Sequence, residues 1–267
     1  MERLIMKTNL KLLVYSILIP TSIWAGGANG KKFGSIYSQL TYSPISTDQY
    51  FDQNSELQQG LQFTRHHIEN YGEIGVYRST TTLLWNLSFA KQKLGQNSSA
   101  QGIGPSMIGL QHQYYHSTHL KLGAGLSSIL PSPQNTSQTP LSDNDIQYNA
   151  AHFLTWSTYQ ANVSYLSDLE SHSIQFDIKK TWNPISALYL SAAMRGQHIL
   201  SATTEGSKNK EATLIGHTLQ TEYYAPGIEA FYSLNSNWHT VASFYGGFGM
   251  KDIFGAPGVK IGVAWTM

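Results

Sequence analysis

The chain has 267 residues, of which 41% are hydrophobic and only 12% are charged, whereas a soluble domain typically carries roughly 25% charged residues. Its 17 Lys and Arg and its 16 Asp and Glu give a formal net charge of +1, so the chain lacks the basic surface that a nucleic-acid partner requires. It also contains no cysteine, which excludes disulfides, thiolate metal sites and cysteine nucleophiles.

Residues 1–25 have the order of a secretory signal peptide. Lys7 and Lys11 precede an apolar run, and small residues follow it. Because the run has about 13 residues, against roughly 20 in a membrane-spanning helix, we interpret it as a cleaved leader rather than an anchor. We expect cleavage after Ala25, with Ala28 as the alternative, and an exported domain over 26–267.

Beyond the leader, apolar residues alternate with polar or small ones along many short segments. In the C-terminal segment, Val259, Ile261, Val263 and Trp265 share one face, and the residues between them are small or polar. The same alternation recurs over 82–90, 120–127, 174–179 and 188–195. Strands of this pattern are typical of a barrel whose outer wall faces lipid and whose inner wall lines a polar lumen.

Twelve strands are predicted in chain order, at 34–43, 58–78, 81–94, 104–116, 119–131, 148–155, 159–166, 171–182, 186–199, 212–234, 238–249 and 257–266. The connections after the even-numbered strands are short, at 79–80, 117–118, 156–158, 183–185 and 235–237. The others are mostly longer, notably 44–57, 95–103, 132–147 and 200–211. Short periplasmic turns, long external loops and an even strand number are typical of bacterial outer-membrane barrels.

The fold class predicted from this pattern is all-β, a transmembrane antiparallel up-and-down β-barrel of twelve strands within a range of ten to fourteen. The turn at 156–158 is placed partly because an even strand number requires it. Two strands, 58–78 and 212–234, are longer than the membrane needs, and we expect them to bend or bulge at Gly72 and at Pro226-Gly227. The tryptophans expected in interfacial girdles are Trp85, Trp182, Trp238 and Trp265.

Three short motifs carry a family resemblance. The first is the aromatic-Asp run 48–52 followed by the Tyr-Gly strand 71–76. The second is the glycine-rich stretch 102–106 that leads into 107–111, and the third is 126–133, which ends in proline before a long loop. With these motifs, the chain resembles the family of outer-membrane barrels associated with the meta-pathway of phenol degradation, whose members are regarded as transporters.

The resemblance implies a monomeric barrel that passes small aromatic or apolar solutes. One feature departs from the family pattern, since Pro105 or Ser106 stands where the family has an acidic residue. Another departs from outer-membrane barrels in general, which commonly end on an aromatic residue, whereas this chain ends on Thr266-Met267 after Trp265. The second departure weakens the expected signal for barrel assembly.

The inward positions of the predicted strands are the candidate lumen-lining residues: Lys121, Gln175, Asp177, Lys179, Tyr189, Arg195 and Lys260. Two interpretations are possible for the charged inward residues Asp177, Lys179, Arg195 and Lys260. They form a ladder of charges that selects solutes, or they form an internal salt-bridge network that fills and stiffens the barrel. The sequence alone leaves both interpretations open.

The ten histidines suggest a metal site or an enzyme, and neither is favoured. His112 and His116 would share one face of a strand about 13 Å apart, because a strand rises about 3.3 Å per residue, which is too far for one ion even with His119 across the turn. His66 and His67 are expected on opposite faces. No metal, no cofactor and no catalytic residue is therefore expected.

Two alternatives to a pore remain. An outer-membrane lipid hydrolase would need a serine and a histidine on the outer wall, and the candidates are His198 with Ser201, and His172 with Ser171 or Ser173. A structural or adhesive barrel would act through its external loops, of which 132–147 is the longest polar one. We expect no enzyme activity and a porin-like role.

The predicted function is diffusion of small apolar or aromatic solutes across the bacterial outer membrane. The expected partners are outer-membrane lipid and lipopolysaccharide, the solute itself and the barrel assembly machinery. We expect a monomer, with no nucleic acid bound.

Overall fold

The structure is a computed structural model that describes residues 31–52, 54–95, 98–104, 106–130, 146–167, 171–202, 222–251, 253–254 and 257–267. The predicted leader at 1–25 and most of the predicted loops 132–147 and 200–211 lie outside the described residues. Among the described residues, no helix is long and apolar enough to cross a membrane.

Fifteen β-segments make up the regular structure of the described chain. They are β1 (Ile36–Phe51), β2 (Leu57–Tyr77), β3 (Thr81–Leu94), β4 (Ser98–Ile103), β5 (Ser106–His116), β6 (Leu120–Leu130), β7 (Gln147–Trp156), β8 (Tyr159–Ser167), β9 (Ser171–Ile185), β10 (Leu188–Ala202), β11 (Glu222–Ser233), β12 (Trp238–Tyr245), β13 (Phe248–Lys251), β14 (Ile253–Phe254) and β15 (Gly258–Thr266).

These segments form one closed antiparallel sheet. Strands adjacent in sequence pair with each other, β10 pairs with β11, and β1 pairs with β15 to close the cylinder. Three segments extend a neighbouring strand across a short break: β4 continues β5 along β3, β13 continues β12 along β11, and β14 continues β15 along β1. The prediction of a twelve-stranded up-and-down barrel is therefore confirmed.

The two ends of the barrel differ in their connections. One end, the short-turn end, carries the turns 78–80, 117–119, 157–158, 186–187 and 234–237. The first and last residues of the sheet also lie at this end, since the strands that carry them pair directly there. The opposite end, the long-loop end, carries the remaining connections. This alternation is the one that the sequence predicts.

Three predicted boundaries are wrong. The turn placed at 183–185 lies at 186–187, because a bulge between β9 and β10 takes in Pro184, which cannot donate a hydrogen bond to a ladder. The predicted loop 44–57 is mostly strand: β1 and β2 stay paired up to Phe51 and Leu57. Most of the predicted loop 95–103 is β4, which pairs with β3.

No bulge forms at Gly72 or at Pro226-Gly227. The ladder of β2 continues through Gly72 to both neighbours without a shift of register, and the ladder of β11 with β10 continues through Pro226 and Gly227, whereas its ladder with β12 ends at Gly227. Each glycine instead lies under an aromatic ring. A methyl group would overlap the indole of Trp85 in the first case and the ring of Tyr245 in the second. Both glycines therefore allow close packing of a ring on the barrel wall.

The outer and inner faces follow the predicted alternation. On β3, Leu87 points outward and is 56% exposed, whereas Leu84 points inward and is 0% exposed. Exposed apolar residues of this kind lie on ten of the twelve strands and are called the outer belt: Leu40, Ile68, Leu87, Phe89, Ile108, Leu110, Leu126, Ile178, Leu190, Ile228, Phe244, Ile261 and Val263. An exposed apolar band of this extent is what a lipid-facing barrel wall requires.

Aromatic residues form part of a girdle at the short-turn end. Trp238 pairs with Trp265 across β12 and β15, and Trp156 stacks on Tyr159 with ring centroids 6.0 Å apart. Trp85 differs from the other predicted tryptophans, since its indole lies over Gly72 of the neighbouring strand β2. Its indole N–H donates to Oδ1 of Asn70 at 3.0 Å. The girdle expected from the sequence thus concentrates where the strands meet the short turns.

Candidate functional site

The inward side chains divide the lumen into two regions. The first, called the packed half, is a buried cluster of Leu84, Met107, Ala151 and Phe153 that reaches Tyr71. The second is a cavity of about 520 Å³, called the lumenal cavity, between this cluster and the opposite wall. Most of its wall comes from β1, β2, β9, β10, β11, β12 and β15. The lumenal cavity is the candidate solute site.

Charged and aromatic side chains dominate the lining of the lumenal cavity. The cations are Lys31, Lys179, Arg195 and Lys260, and the anions are Glu69, Glu73 and Glu229. The aromatic residues are Tyr37, Tyr71, Tyr189, Tyr223 and Phe231. Two pairs of these rings meet edge to face, Tyr37 with Tyr71 at 6.2 Å and Tyr189 with Phe231 at 6.1 Å between centroids. The site therefore combines a polar wall with π-faces.

Four residues on neighbouring strands form a network of ion pairs. Arg195 donates from Nε to Oδ2 of Asp177 at 2.9 Å and from Nη2 to Oε1 of Glu229 at 2.7 Å. Lys179 donates from Nζ to Oε2 of Glu229 at 2.6 Å. These four residues, called the lumenal ion network, contain two cations and two anions. Since every member has an opposite charge beside it, the geometry favours the salt-bridge interpretation over a ladder of unpaired charges.

The register of the strands explains why the lumenal ion network forms. Arg195 lies opposite Asp177 on β9. Ala193 lies two positions before Arg195 on β10 and directly opposite Lys179. Because the side chain of Ala193 is small, Lys179 can reach across β10 to Glu229 on β11. The guanidinium group also lies 4.2 Å from the ring centroid of Tyr245, a cation–π contact.

Tyr245 completes the network from the β12 side. Its hydroxyl donates to Oε1 of Glu229, which also accepts from Arg195. The ring reaches this position because Gly227, directly opposite on β11, carries no side chain to block it. Glu229 thus joins three strands of the wall, β9, β10 and β12, to its own.

Two further ion pairs line the cavity. Lys260 on β15 donates to Oε2 of Glu69 on β2, across a sequence separation of 191 residues. Lys31, which precedes β1, lies with Nζ 3.1 Å from Oε2 of Glu73. The four cations of the cavity wall are therefore matched by its three glutamates together with the buried Asp177 beside Arg195.

The structure places most of the sequence-predicted lumen residues on the cavity wall. Five of them line the lumenal cavity: Gln175, Lys179, Tyr189, Arg195 and Lys260. Asp177 lies beside Arg195 and is almost fully buried. Lys121 lies elsewhere, at the short-turn end of β6, where its backbone pairs with Thr155. Whether these residues act on a passing solute stays a prediction.

Four residues of the cavity wall were not predicted from the sequence: the anionic partners Glu69, Glu73 and Glu229 and the cation Lys31. The three glutamates fall on the inward positions of β2 and β11, which recur every second residue. The period of two in those segments could therefore have identified them as lumenal residues. No comparable signal existed for Lys31, because it lies outside any predicted strand. Long-range pairing decides its position.

The histidines occupy other places. His112 pairs with Ala124 and His116 with Lys121, because a bulge between Gln113 and Tyr115 shifts the register. The expectation that the two histidines share a face is therefore wrong. His67 points inward, while His66 points outward and bonds through Nδ1 to the hydroxyl of Tyr42 at 2.6 Å. Within the described ranges, no group of three His, Asp or Glu residues could hold a metal ion.

The hydrolase candidates form an incomplete site. His198 has a carboxylate partner, since its Nδ1 lies 3.1 Å from Oε1 of Glu222. Ser201 lies opposite His172, whose ring stacks on Tyr165 at 5.6 Å. In the part of the chain that the structure describes, no serine hydroxyl bonds to either imidazole. A nucleophile beside its base is the arrangement that such an enzyme needs.

Comparison with known proteins gives structural matches alone. No family model matches the sequence, and no curated protein does. An outer-membrane channel from Pseudomonas putida F1 is similar, with a TM-score of 0.70 at 9% identity, over 92% of this chain and 99% of that chain. The NanC porin is similar with a TM-score of 0.51 at 7% identity, over 86% of this chain and 100% of that chain.

Identities this low establish the fold and no more. The chain has the fold of the bacterial outer-membrane β-barrels, as the sequence predicts. Together with the outer belt, this fold assigns the chain to the outer membrane. The link to phenol degradation stays a prediction.

Proposed function

We propose that the protein is a porin-like channel for small solutes that carry both an aromatic ring and a polar group. The observation that carries this proposal is the lumenal cavity, whose wall combines tyrosines with balanced ion pairs. Eight strands enclose a lumen that side chains fill, whereas sixteen to eighteen leave an aqueous channel. A twelve-stranded barrel lies between these cases, so its inward side chains decide what passes.

The size of the cavity supports a small solute. A volume of about 520 Å³ lies inside the range of roughly 300–1,000 Å³ that is typical of small-molecule sites. The rings of the two edge-to-face pairs, Tyr37 with Tyr71 and Tyr189 with Phe231, line the cavity, and another aromatic ring packs favourably against such rings. These contacts support the aromatic part of the expected solute class.

The charged wall argues against a purely apolar solute. Such a molecule would displace water from the lumenal ion network and from the Lys260–Glu69 pair without replacing the lost hydrogen bonds. A solute with a hydroxyl, amide or zwitterionic group replaces them. The proposal therefore keeps the aromatic part of the sequence-based expectation and replaces the apolar part with a ring that bears a polar group.

The proposal includes several further expectations, which come from the sequence pattern and from the family resemblance. They are a monomeric state, contact of the outer belt with lipid and lipopolysaccharide, insertion by the barrel assembly machinery, and removal of the leader at 1–25. It also includes the absence of enzyme activity and of a cofactor.

Uptake into lipid vesicles tests the solute class. Phenylalanine and leucine are a matched pair, because both are zwitterions that cross lipid slowly and only one has a ring. We expect the pure protein to admit phenylalanine faster than leucine, and to exclude a disaccharide. Tyr189→Leu should reduce this preference, whereas Tyr148→Leu, on the outer wall of β7, should leave it unchanged. Equal uptake of the two amino acids would contradict the solute class, and no uptake above protein-free vesicles would contradict the channel itself.

A further inference from the structure

The residues just before β1 enter the lumen at the short-turn end. We call residues 31–35 the N-terminal strap. Gly34 has a φ of +78° and turns the chain, and the N–H of Ser35 donates to the carbonyl of Lys32 at 3.0 Å. Gly34 then donates to the carbonyl of Gly75 at 2.8 Å, and Gly75 donates to the carbonyl of Ser35 at 3.0 Å. The strap is thus bonded to β2 near its end.

The strap crosses the inner face of the barrel wall. Gly75 occupies an inward position, and a methyl group there would overlap the carbonyl oxygen of Lys32. Farther along, the N–H of Lys31 donates to Oγ1 of Thr82 on β3 at 3.2 Å. The backbone of the strap therefore lies inside the lumen, where a side chain at position 75 would otherwise project.

The strap brings one charge into the cavity. The ammonium group of Lys31 lies 3.1 Å from the carboxylate of Glu73 and 4.9 Å from the ring centroid of Tyr37. Glu73 is only 2% exposed, and it accepts a second hydrogen bond, from the hydroxyl of Tyr71 at 2.6 Å. Lys31 is therefore the cation that balances the most deeply buried carboxylate of the cavity wall.

The strap has no buried apolar residue to hold it in the lumen. Phe33, its only large apolar side chain, is 76% exposed. The polar contacts given above are its attachment to the wall. If the leader is cleaved after Ala25 or Ala28, a free chain end lies within a few residues of Lys31. Segments near a chain end that lack apolar contacts open at low free energy.

We propose that the N-terminal strap is a movable part of the pore wall that sets both the width and the charge of the short-turn mouth. This proposal rests on the proposed channel function. In the inserted state, the strap narrows the mouth and neutralises Glu73. In the withdrawn state, the mouth is wider and Glu73 is an unpaired anion, so the channel favours cations.

Gly75→Ala tests the steric part of the proposal. The new methyl group removes the space for the backbone of the strap without changing any charge. We expect a larger single-channel conductance in planar bilayers, dominated by one high-conductance state. Gly258→Ala is the matched control, because a methyl group there makes only ordinary contacts with Tyr245. Its conductance should equal that of the unmodified protein.

A reversible cross-link tests the converse. The chain has no cysteine, so Lys31→Cys combined with Thr82→Cys introduces the only two thiols. Oxidation should lock the strap and abolish the high-conductance state, and reduction of the same sample should restore it. Equal conductance before and after oxidation, together with a Gly75→Ala variant that conducts like the unmodified protein, would overturn the proposal.

Two charge variants separate width from selectivity. Both Lys31→Gln and Glu73→Gln break the ion pair and should raise the occupancy of the high-conductance state. Only Lys31→Gln leaves an unpaired carboxylate, so only this variant should shift the reversal potential in a salt gradient toward that of the cation. The same reversal potential in both variants would contradict the assigned role of Glu73.

Amide hydrogen exchange keeps this test independent of the channel function. If the strap withdraws, the amides of Gly34 and Gly75 exchange faster than those of the neighbouring β1–β2 ladder, and oxidation of the cysteine pair slows them. Absence of solute flux in every variant, with this exchange pattern intact, would reject the channel but keep the moving strap. Exchange as slow as that of the ladder would reject the strap as a movable element.

Discussion

The packed half and the lumenal cavity are built on the same alternation of inward and outward residues, and they differ because of what the inward residues carry. In the packed half, Leu84 and Phe153 are at most 2% exposed. In the cavity, Arg195 keeps 27% of its side chain exposed although it has two carboxylate partners. Apolar side chains interdigitate and fill space. An ion pair fixes the distance between its two charged groups and leaves open volume beside them. The alternation along each strand therefore decides which residues face the lumen. Whether those residues are apolar or charged decides whether the lumen is filled or open.

The largest expected effect breaks the packed half. Phe153→Ala should lower the free energy of unfolding by about 3–5 kcal/mol, because it leaves a cavity among Leu84, Met107 and Ala151. The same cavity should extend the solute path and raise conductance. Phe89→Ala on the outer belt is the control, and it should cost less, since lipid fills the space. Denaturant unfolding in lipid vesicles measures the free energy of unfolding of both variants. Equal losses would contradict the distinction between positions that fill the lumen and positions that face lipid.

A second substitution tests the parity on which the comparison rests. Leu87→Arg places a charge on the outer belt and should cost on the order of 2–4 kcal/mol of folding free energy in lipid vesicles, as expected for arginine near the bilayer midplane. Leu87→Phe, which stays apolar, should fold almost as well as the unmodified chain. If the arginine variant folded equally well, the outer belt would not face lipid.

A third substitution sharpens the description of the cavity half. Arg195→Ala leaves Asp177 and Glu229 with Lys179 as their only cation in the network. We expect the reversal potential in a salt gradient to shift toward cation selectivity. Arg195→Lys keeps the charge and should retain most of the original value. An unchanged reversal potential in the alanine variant would show that the lumenal ion network only stiffens the barrel.

The smallest expected effect concerns the outer wall. His198→Ala removes the imidazole that pairs with Glu222, and neither residue lines the lumenal cavity, so solute flux should stay the same. The pure protein should release no fatty acid from phospholipid with or without this histidine. Release by the unmodified protein that disappears in the variant would identify a lipid hydrolase instead of a channel.

The fold was predictable because alternation is a local signal. Each strand shows its outward face through its own residues, as 120–127 and 258–266 do, and the short turns follow. Bulges were not predictable in this way: Asn183-Pro184 has the composition of a turn, but the paired strand absorbs it. Local composition does not show whether a residue lies in a turn or in a bulge of a paired strand.

The lumenal residues were predictable one at a time and not as pairs. Arg195 and Lys260 could be assigned to the inner face from their neighbours in sequence. Their partners Glu229 and Glu69 lie 34 and 191 residues away. These pairings depend on barrel closure and on the register of several strands, which the sequence pattern specifies only to within a few residues. The position of the N-terminal strap depends on closure in the same way.

The seam between β1 and β15 has a consequence for biogenesis. Ile36 and Met267 exchange backbone hydrogen bonds at 3.0 and 2.9 Å, so the two ends of the sheet meet at this seam. The barrel cannot close until its last strand has been delivered, and until then both edges of the growing sheet present unpaired N–H and C=O groups. Loss of 258–266 would leave those edges permanently open. Such a truncated chain should accumulate as an insoluble aggregate during secretion rather than as a weakened channel.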